Sequence, residues 1–152
     1  MPFHEISASM MINAPAKQIY NILADYQHGH QLILPKPYFV SLQVEQGGAG
    51  TGTIVKFQMK VLGRIQDFRA TISEPEPGRV LVEANEGTGV ITKFVVDPCD
   101  DGRSSFVTIT TTTPIRDGWA GKVYGWLTKQ VLYPIYVKEL EQLAQVVTRQ
   151  ET

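Results

Sequence analysis

Apolar and polar residues alternate through most of this chain, and the alternation gives way to helical spacing near the start and over the C-terminal third. Thr53, Val55, Phe57, Met59 and Val61 face one way and Lys56, Gln58 and Lys60 the other, the clearest period-two signal present. Ile65 to Ser73 repeats it, with Phe68, Ala70 and Ile72 against Asp67, Arg69 and Thr71. Tyr38 to Glu45 sets Val40, Leu42 and Val44 against Phe39, Ser41, Gln43 and Glu45. Arg79 to Glu86 reads as a further strand, and Val90 to Val96 carries Val90, Thr92, Phe94 and Val96 on one face. Ser104 to Thr112 is threonine-rich, which suits a pleated sheet, and Ile6 to Ile12 opens the series as a half-buried strand. Turn signals separate these runs: Gly47 to Gly52, Gly63-Arg64, Glu74-Pro75-Glu76-Pro77-Gly78, Gly87-Thr88-Gly89 and Asp97 to Gly102. Strands joined by short polar turns imply an antiparallel meander.

Two stretches have the helical period. Pro15 suits a first helical turn, and Ile19, Tyr20, Ile22, Leu23 and Tyr26 follow it at helical spacing, which predicts a helix from Pro15 to about Asp25. Gln27 to Pro37 is mixed and predicts a connecting element with one short helical turn, covering one end of the fold. From Asp117 the apolar set runs Trp119, Val123, Trp126, Leu127, Val131, Ile135, Val137, Leu140, Leu143, Ala144 and Val147, a long helix that Pro134 is expected to kink or divide.

Length and charge narrow the classes. The 152 residues suit a single domain over 1–152, with roughly 70% of the unfolded surface buried. The net charge of -1 argues against a nucleic-acid partner. One cysteine, Cys99, excludes an internal disulfide and a multi-thiolate zinc site, and points to a reducing, cytoplasmic compartment. No signal peptide and no spanning run is visible, so integral membrane association is not expected.

The order strand, helix, connecting element, strand meander and long helix resembles the helix-grip fold of the START-like (SRPBCC) superfamily, in particular its polyketide cyclase/dehydrase and lipid-transport group. The matching features are Ile12-Asn13-Ala14-Pro15 with the helix Lys17 to Leu23, the turn Gly50-Thr51-Gly52, the strand entry Pro77-Gly78-Arg79 and the C-terminal helix. The resemblance implies an α+β fold in which a curved antiparallel sheet of six or seven strands wraps around the long helix, with one or two short helices after the first strand. It also implies an internal cavity that takes a small hydrophobic molecule, a lipid, isoprenoid or polyketide-like compound. Fold alone does not choose among the carriers and enzymes of this superfamily.

On that resemblance the candidate ligand-binding residues are Val55, Phe57, Met59, Phe68, Ala70, Ile72, Thr92 and Phe94 from the sheet and Trp119, Val123, Leu127 and Val131 from the helix. Ordinary core packing explains each of them singly. Thr92, a hydroxyl on an apolar face, is the best polar fixture, although the local backbone can satisfy it. Glu83 and Asn85 share a face with Leu81, and Asp67 shares one with Arg69; these read as solvated outer positions, or as acid–base groups if the register is opposite. Tyr124, Tyr133 and Tyr136 read as buried rings with wet hydroxyls, and Tyr26 and Tyr38 flank the expected cavity mouth. His28-Gly29-His30 reads as a pair of surface histidines, since no third metal ligand accompanies them. The glycine cluster lacks the ending of a phosphate loop and reads as a hairpin turn.

No nucleophile–base arrangement can be assembled, so no catalytic residue is assigned, and no metal or cofactor is called for. Three readings follow. The first is a carrier or sensor of a small hydrophobic molecule. The second is a polyketide cyclase or dehydrase using a cavity acid–base group; it requires that Asp67, Arg69, Glu83, Asn85 or a tyrosine project into a closed pocket. The third is a homodimeric partner-binding module that uses exposed Trp119 and Trp126.

Overall fold

The computed structural model describes residues 3–61, 63–114 and 118–150, except for the side chains of 61, 119–125, 127 and 150. The strands are β1 (Phe3–Ile12), β2 (Phe39–Gln46), β3 (Ile54–Val61), β4 (Arg64–Glu76), β5 (Val80–Asn85), β6 (Val90–Cys99) and β7 (Ser104–Pro114). The helices are α1 (Ala16–Ala24), α2 (Gly29–Ile33) and α3 (Gly118–Gln150). The strands form one seven-stranded sheet in the order β1-β7-β6-β5-β4-β3-β2, antiparallel throughout. Short hairpins join β2 through β7 in sequence, and β1 closes the far edge by pairing with β7.

The inward faces are those the alternation marks. Val55, Met59, Ala70, Ile72, Leu81, Phe94, Val96, Val107 and Ile109 are buried, and they meet Ile135, Leu140, Leu143 and Val147 of α3 in one core. Each of these side chains larger than Ala70 contributes roughly 1.5–3 kcal/mol through removal from water.

Two strands differ from expectation, and for α3 one of the two expected outcomes is excluded. In β2 the register slips between Phe39 and Ser41, so a bulge turns Val40 out to solvent (48% exposed) and Phe39 inward. An extra residue on one strand reverses facing beyond it, which period-two counting cannot anticipate. β4 runs on to Glu76 through part of the expected loop, with its pairing to β5 irregular between Ser73 and Glu76. Finally, α3 is not divided at Pro134. The ring is exposed, so water can serve the carbonyl it leaves unpaired, while buried Ile135 and Tyr136 hold the adjacent turn against the core.

Trp126 is 61% exposed, and the side chain of Trp119 lies outside the described residues. Among the described residues no helix is long and apolar enough to cross a membrane.

Candidate functional site

A cavity of about 410 Å³ lies between the sheet and the middle of α3. Its sheet wall includes Phe39, Leu42, Val55, Phe57, Met59, Phe68, Val90, Thr92 and Phe94; α3 contributes Thr128, Val131, Leu132, Tyr136 and Glu139. Phe57 stacks on Phe68, with ring centroids 5.3 Å apart. Arg64 and Gln66, both exposed, line it at the β3–β4 hairpin end.

Of the sequence candidates, Val55, Phe57, Met59, Phe68, Thr92, Phe94 and Val131 therefore line the cavity. Ala70 and Ile72 do not. They point to the same side of β4 as Phe68 but are packed into the solid core beyond the cavity. The side chains of Trp119, Val123, Leu127 and Tyr124 lie outside the described residues. Asp67 and Arg69 are exposed, and Arg69 pairs with Glu45 at 2.9 Å. Asn85 caps its own hairpin by accepting the Thr88 N–H.

One end of the cavity is polar, and most of its groups contradict the outward reading. Glu83 points in: it stands opposite Thr92 in the β5–β6 pair, two residues after fully buried Leu81. The signal was present in the sequence, because folding the hairpin about Gly87-Thr88-Gly89 sets Glu83 beside Thr92 on the same face. His30 is 2% exposed, whereas His28 is a surface residue paired with Asp25. Tyr26 is fully buried behind the cavity wall rather than at a mouth, and its hydroxyl donates to Glu83 Oε2 at 2.6 Å. Tyr136 has no wet hydroxyl: it bonds Thr111 Oγ1 at 2.6 Å, and Thr111 bonds Thr92 Oγ1 at 2.8 Å. Glu139, which periodicity passed over as one polar position on a mixed helix, is 3% exposed and lines the same end.

Local geometry explains how His30 arrives there. The glycine turn before β3 clamps the end of α1: Tyr26 N–H donates to the Gly48 carbonyl at 2.8 Å and Gly50 N–H to the Ala24 carbonyl at 3.0 Å. The His30 N–H then bonds the Asp25 carbonyl at 2.8 Å, starting α2 toward the sheet. Gly29 permits this, since a Cβ there would lie 2.7 Å from the Ile22 carbonyl oxygen. The imidazole stacks on Tyr26 at 4.3 Å and meets Phe94 edge-on at 5.5 Å. Its Nδ1 lies 2.7 Å from the Leu23 carbonyl oxygen, which can only accept, so Nδ1 carries a proton. In the neutral ring Nε2 is then a lone pair, 3.6 Å from Glu83 Oε2, too far for a direct hydrogen bond.

The electrostatics follow from burial. Removal from water, and then the Glu83 carboxylate, hold the Glu139 carboxyl well above the usual carboxylate range. Burial, with Glu83 adding to it, likewise raises the Tyr26 phenol, so Tyr26 stays a donor. Tyr136 is raised mainly by burial. Among the described residues no cluster of three or more His, Cys, Asp or Glu is arranged to hold a metal.

A family model described as polyketide cyclase/dehydrase and lipid transport matches residues 4–148. No curated protein sequence matches the chain. Among solved structures the chain is similar to the KanY protein determined by NMR, with 24% identity, TM-score 0.83 and coverage of 97% of this chain and 99% of that one. It is similar at 15% identity to the Zhui aromatase/cyclase of a Streptomyces (TM-score 0.78, 99% and 97% covered). It is similar at 12% to norcoclaurine synthase of Thalictrum flavum in complex with dopamine and hydroxybenzaldehyde (TM-score 0.70, 99% and 90% covered). At these identities the likeness speaks for a shared helix-grip fold.

Proposed function

Because the chain belongs to the polyketide cyclase/dehydrase and lipid-transport family, we propose that it binds a small hydrophobic molecule in the cavity between sheet and α3, its apolar body against Val55, Phe57, Met59, Phe68, Phe94 and Val131. The observation that carries this reading is the cavity itself, about 410 Å³ with a mainly apolar wall, His30, Glu83 and Glu139 at its buried end and exposed Arg64 and Gln66 at the hairpin end. Pockets that hold small molecules have this composition. Trp119, Val123 and Leu127 belong to the same α3 segment and are included in the binding surface as a proposal from sequence.

The test combines native mass spectrometry of freshly purified protein with titration of an environment-sensitive apolar fluorophore. One fluorophore per chain is expected, lost in a cavity-filling Val131→Trp variant that still unfolds cooperatively. A folded wild-type protein that takes up no apolar probe sinks the reading.

A second reading, turnover of the cyclase or dehydrase kind, is favoured by the group of His30, Glu83 and Glu139 at one end of the cavity. A bound 1,3-diketone would meet an acceptor at Glu83 or His30 Nε2 and a donor at the protonated Glu139 carboxyl, the pair an enolisation needs. Such groups contribute roughly 10²–10⁴-fold. Deuterium exchange at the central carbon of an apolar 1,3-diketone, followed by NMR, is expected to be faster with wild-type protein than with a Glu83→Gln variant. Equal rates refute it.

A further inference from the structure

We infer that the buried end of the cavity is built for a ligand bearing a protonated amine, and that it discriminates against one ending in a carboxylate. This rests on the binding reading above and specifies the ligand for that site. Among the described residues two carboxyls, Glu83 and Glu139, converge on that end with no lysine or arginine beside them, and His30 Nε2 completes the group. A primary ammonium has three N–H donors and no acceptor, which matches that set.

Glu139 is the telling member. It is 97% removed from solvent by its 3% exposure, it faces the cavity, and among the described residues its carboxyl has no hydrogen-bond or ion-pair partner. Its oxygens open onto the cavity instead of being sealed in the core, so whatever occupies the cavity supplies their hydrogen-bond partner. His30 adds an independent mark: Nδ1 is tied to the Leu23 carbonyl, which aims Nε2 toward Glu83 Oε2 across 3.6 Å, longer than a direct hydrogen bond. With the neutral imidazole a donor inserted between them satisfies both.

The surrounding charges agree. The titratable groups facing Glu139 are Glu83 on β5, His30 on α2, Tyr26 on the loop before α2, and Tyr136 on α3 itself. The cationic side chain on the described cavity wall is Arg64, eight positions before Ile72 on β4, and Ile72 is the strand partner of Glu83. That is roughly 26 Å along the strand, too far to neutralise the acidic end. A carboxylate ligand would therefore place like charge beside Glu83. An ammonium gains from both carboxyls, and by favouring the charged form of Glu139 it expels that residue's proton.

Calorimetry at pH 7 with octylamine, 1-octanol and octanoate, repeated in buffers of different ionisation heat, tests this. The amine is expected to bind at least about tenfold tighter than the alcohol, a difference of roughly 1.4 kcal/mol, and octanoate most weakly. Amine binding is expected to be accompanied by proton release, and Glu139→Gln to abolish the release while leaving the protein folded. Octanoate binding as tightly as octylamine overturns the inference. So does proton release that persists in Glu139→Gln. If the fluorophore binds and none of the three octyl probes does, the inference falls alone; if the fluorophore fails too, the binding reading falls with it.

Discussion

Glu139→Gln is expected to raise the stability of the free protein at neutral pH, by an amount that grows with pH. The folded-state pKa of Glu139 is raised by burial and by Glu83, while in the unfolded chain it is an ordinary glutamate near 4.3. Between those two values the folded state holds a proton that the unfolded state has lost. The favourable contribution of the protonated carboxyl is thus fully present below the unfolded pKa. It is lost as pH rises toward the folded one, at about 1.4 kcal/mol per pH unit for one proton. Glutamine keeps the shape and removes the titration. Urea unfolding of both proteins at half-unit steps from pH 4.5 to 8 measures the difference. That difference should climb in favour of the glutamine variant at close to the stated slope and flatten above the folded pKa. Adding Glu83→Gln to both backgrounds removes the second cause, so the plateau should arrive at lower pH. A difference that stays constant across this range would refute the claim that Glu139 is held protonated by its surroundings.

Gly29→Ala should lower stability by about 1–3 kcal/mol, as overpacking does, and should weaken fluorophore binding, because the Cβ meets the Ile22 carbonyl and pushes α2, with His30, away from the cavity. Thermal melts and the binding titration together check both effects; an alanine variant indistinguishable from wild type refutes the close approach. Tyr136→Phe removes the end of the hydroxyl chain through Thr111 to Thr92 and should cost about 1 kcal/mol in chemical denaturation, the usual net worth of one hydrogen bond. No loss would mean that the chain contributes nothing to the fold.

Alternation and turn chemistry were enough to place the strands, because a half-buried sheet forces period two on its residues and each glycine- or proline-rich break marks a hairpin. Lys56, Gln58 and Lys60 therefore identified the outer face of β3 without any tertiary knowledge, as the run from Trp119 to Val147 identified α3. Sequence resemblance supplied the family. Whether the core is filled or hollow was not legible, since the same apolar side chains serve either; Ala70 and Phe68 share a face of β4, and only Phe68 borders the cavity. Phe39 was misplaced because a bulge, a feature of pairing between two strands, decides its side. Glu83 was read first as an outer position, and His30 and Glu139 were missed, because of one assumption. Polarity predicts exposure for a residue on its own, and it fails where separate elements bring polar groups together in a shared cavity. α2, β5 and α3 are far apart in the chain, and only their docking converts three unremarkable polar positions into the acidic end of an otherwise apolar grip.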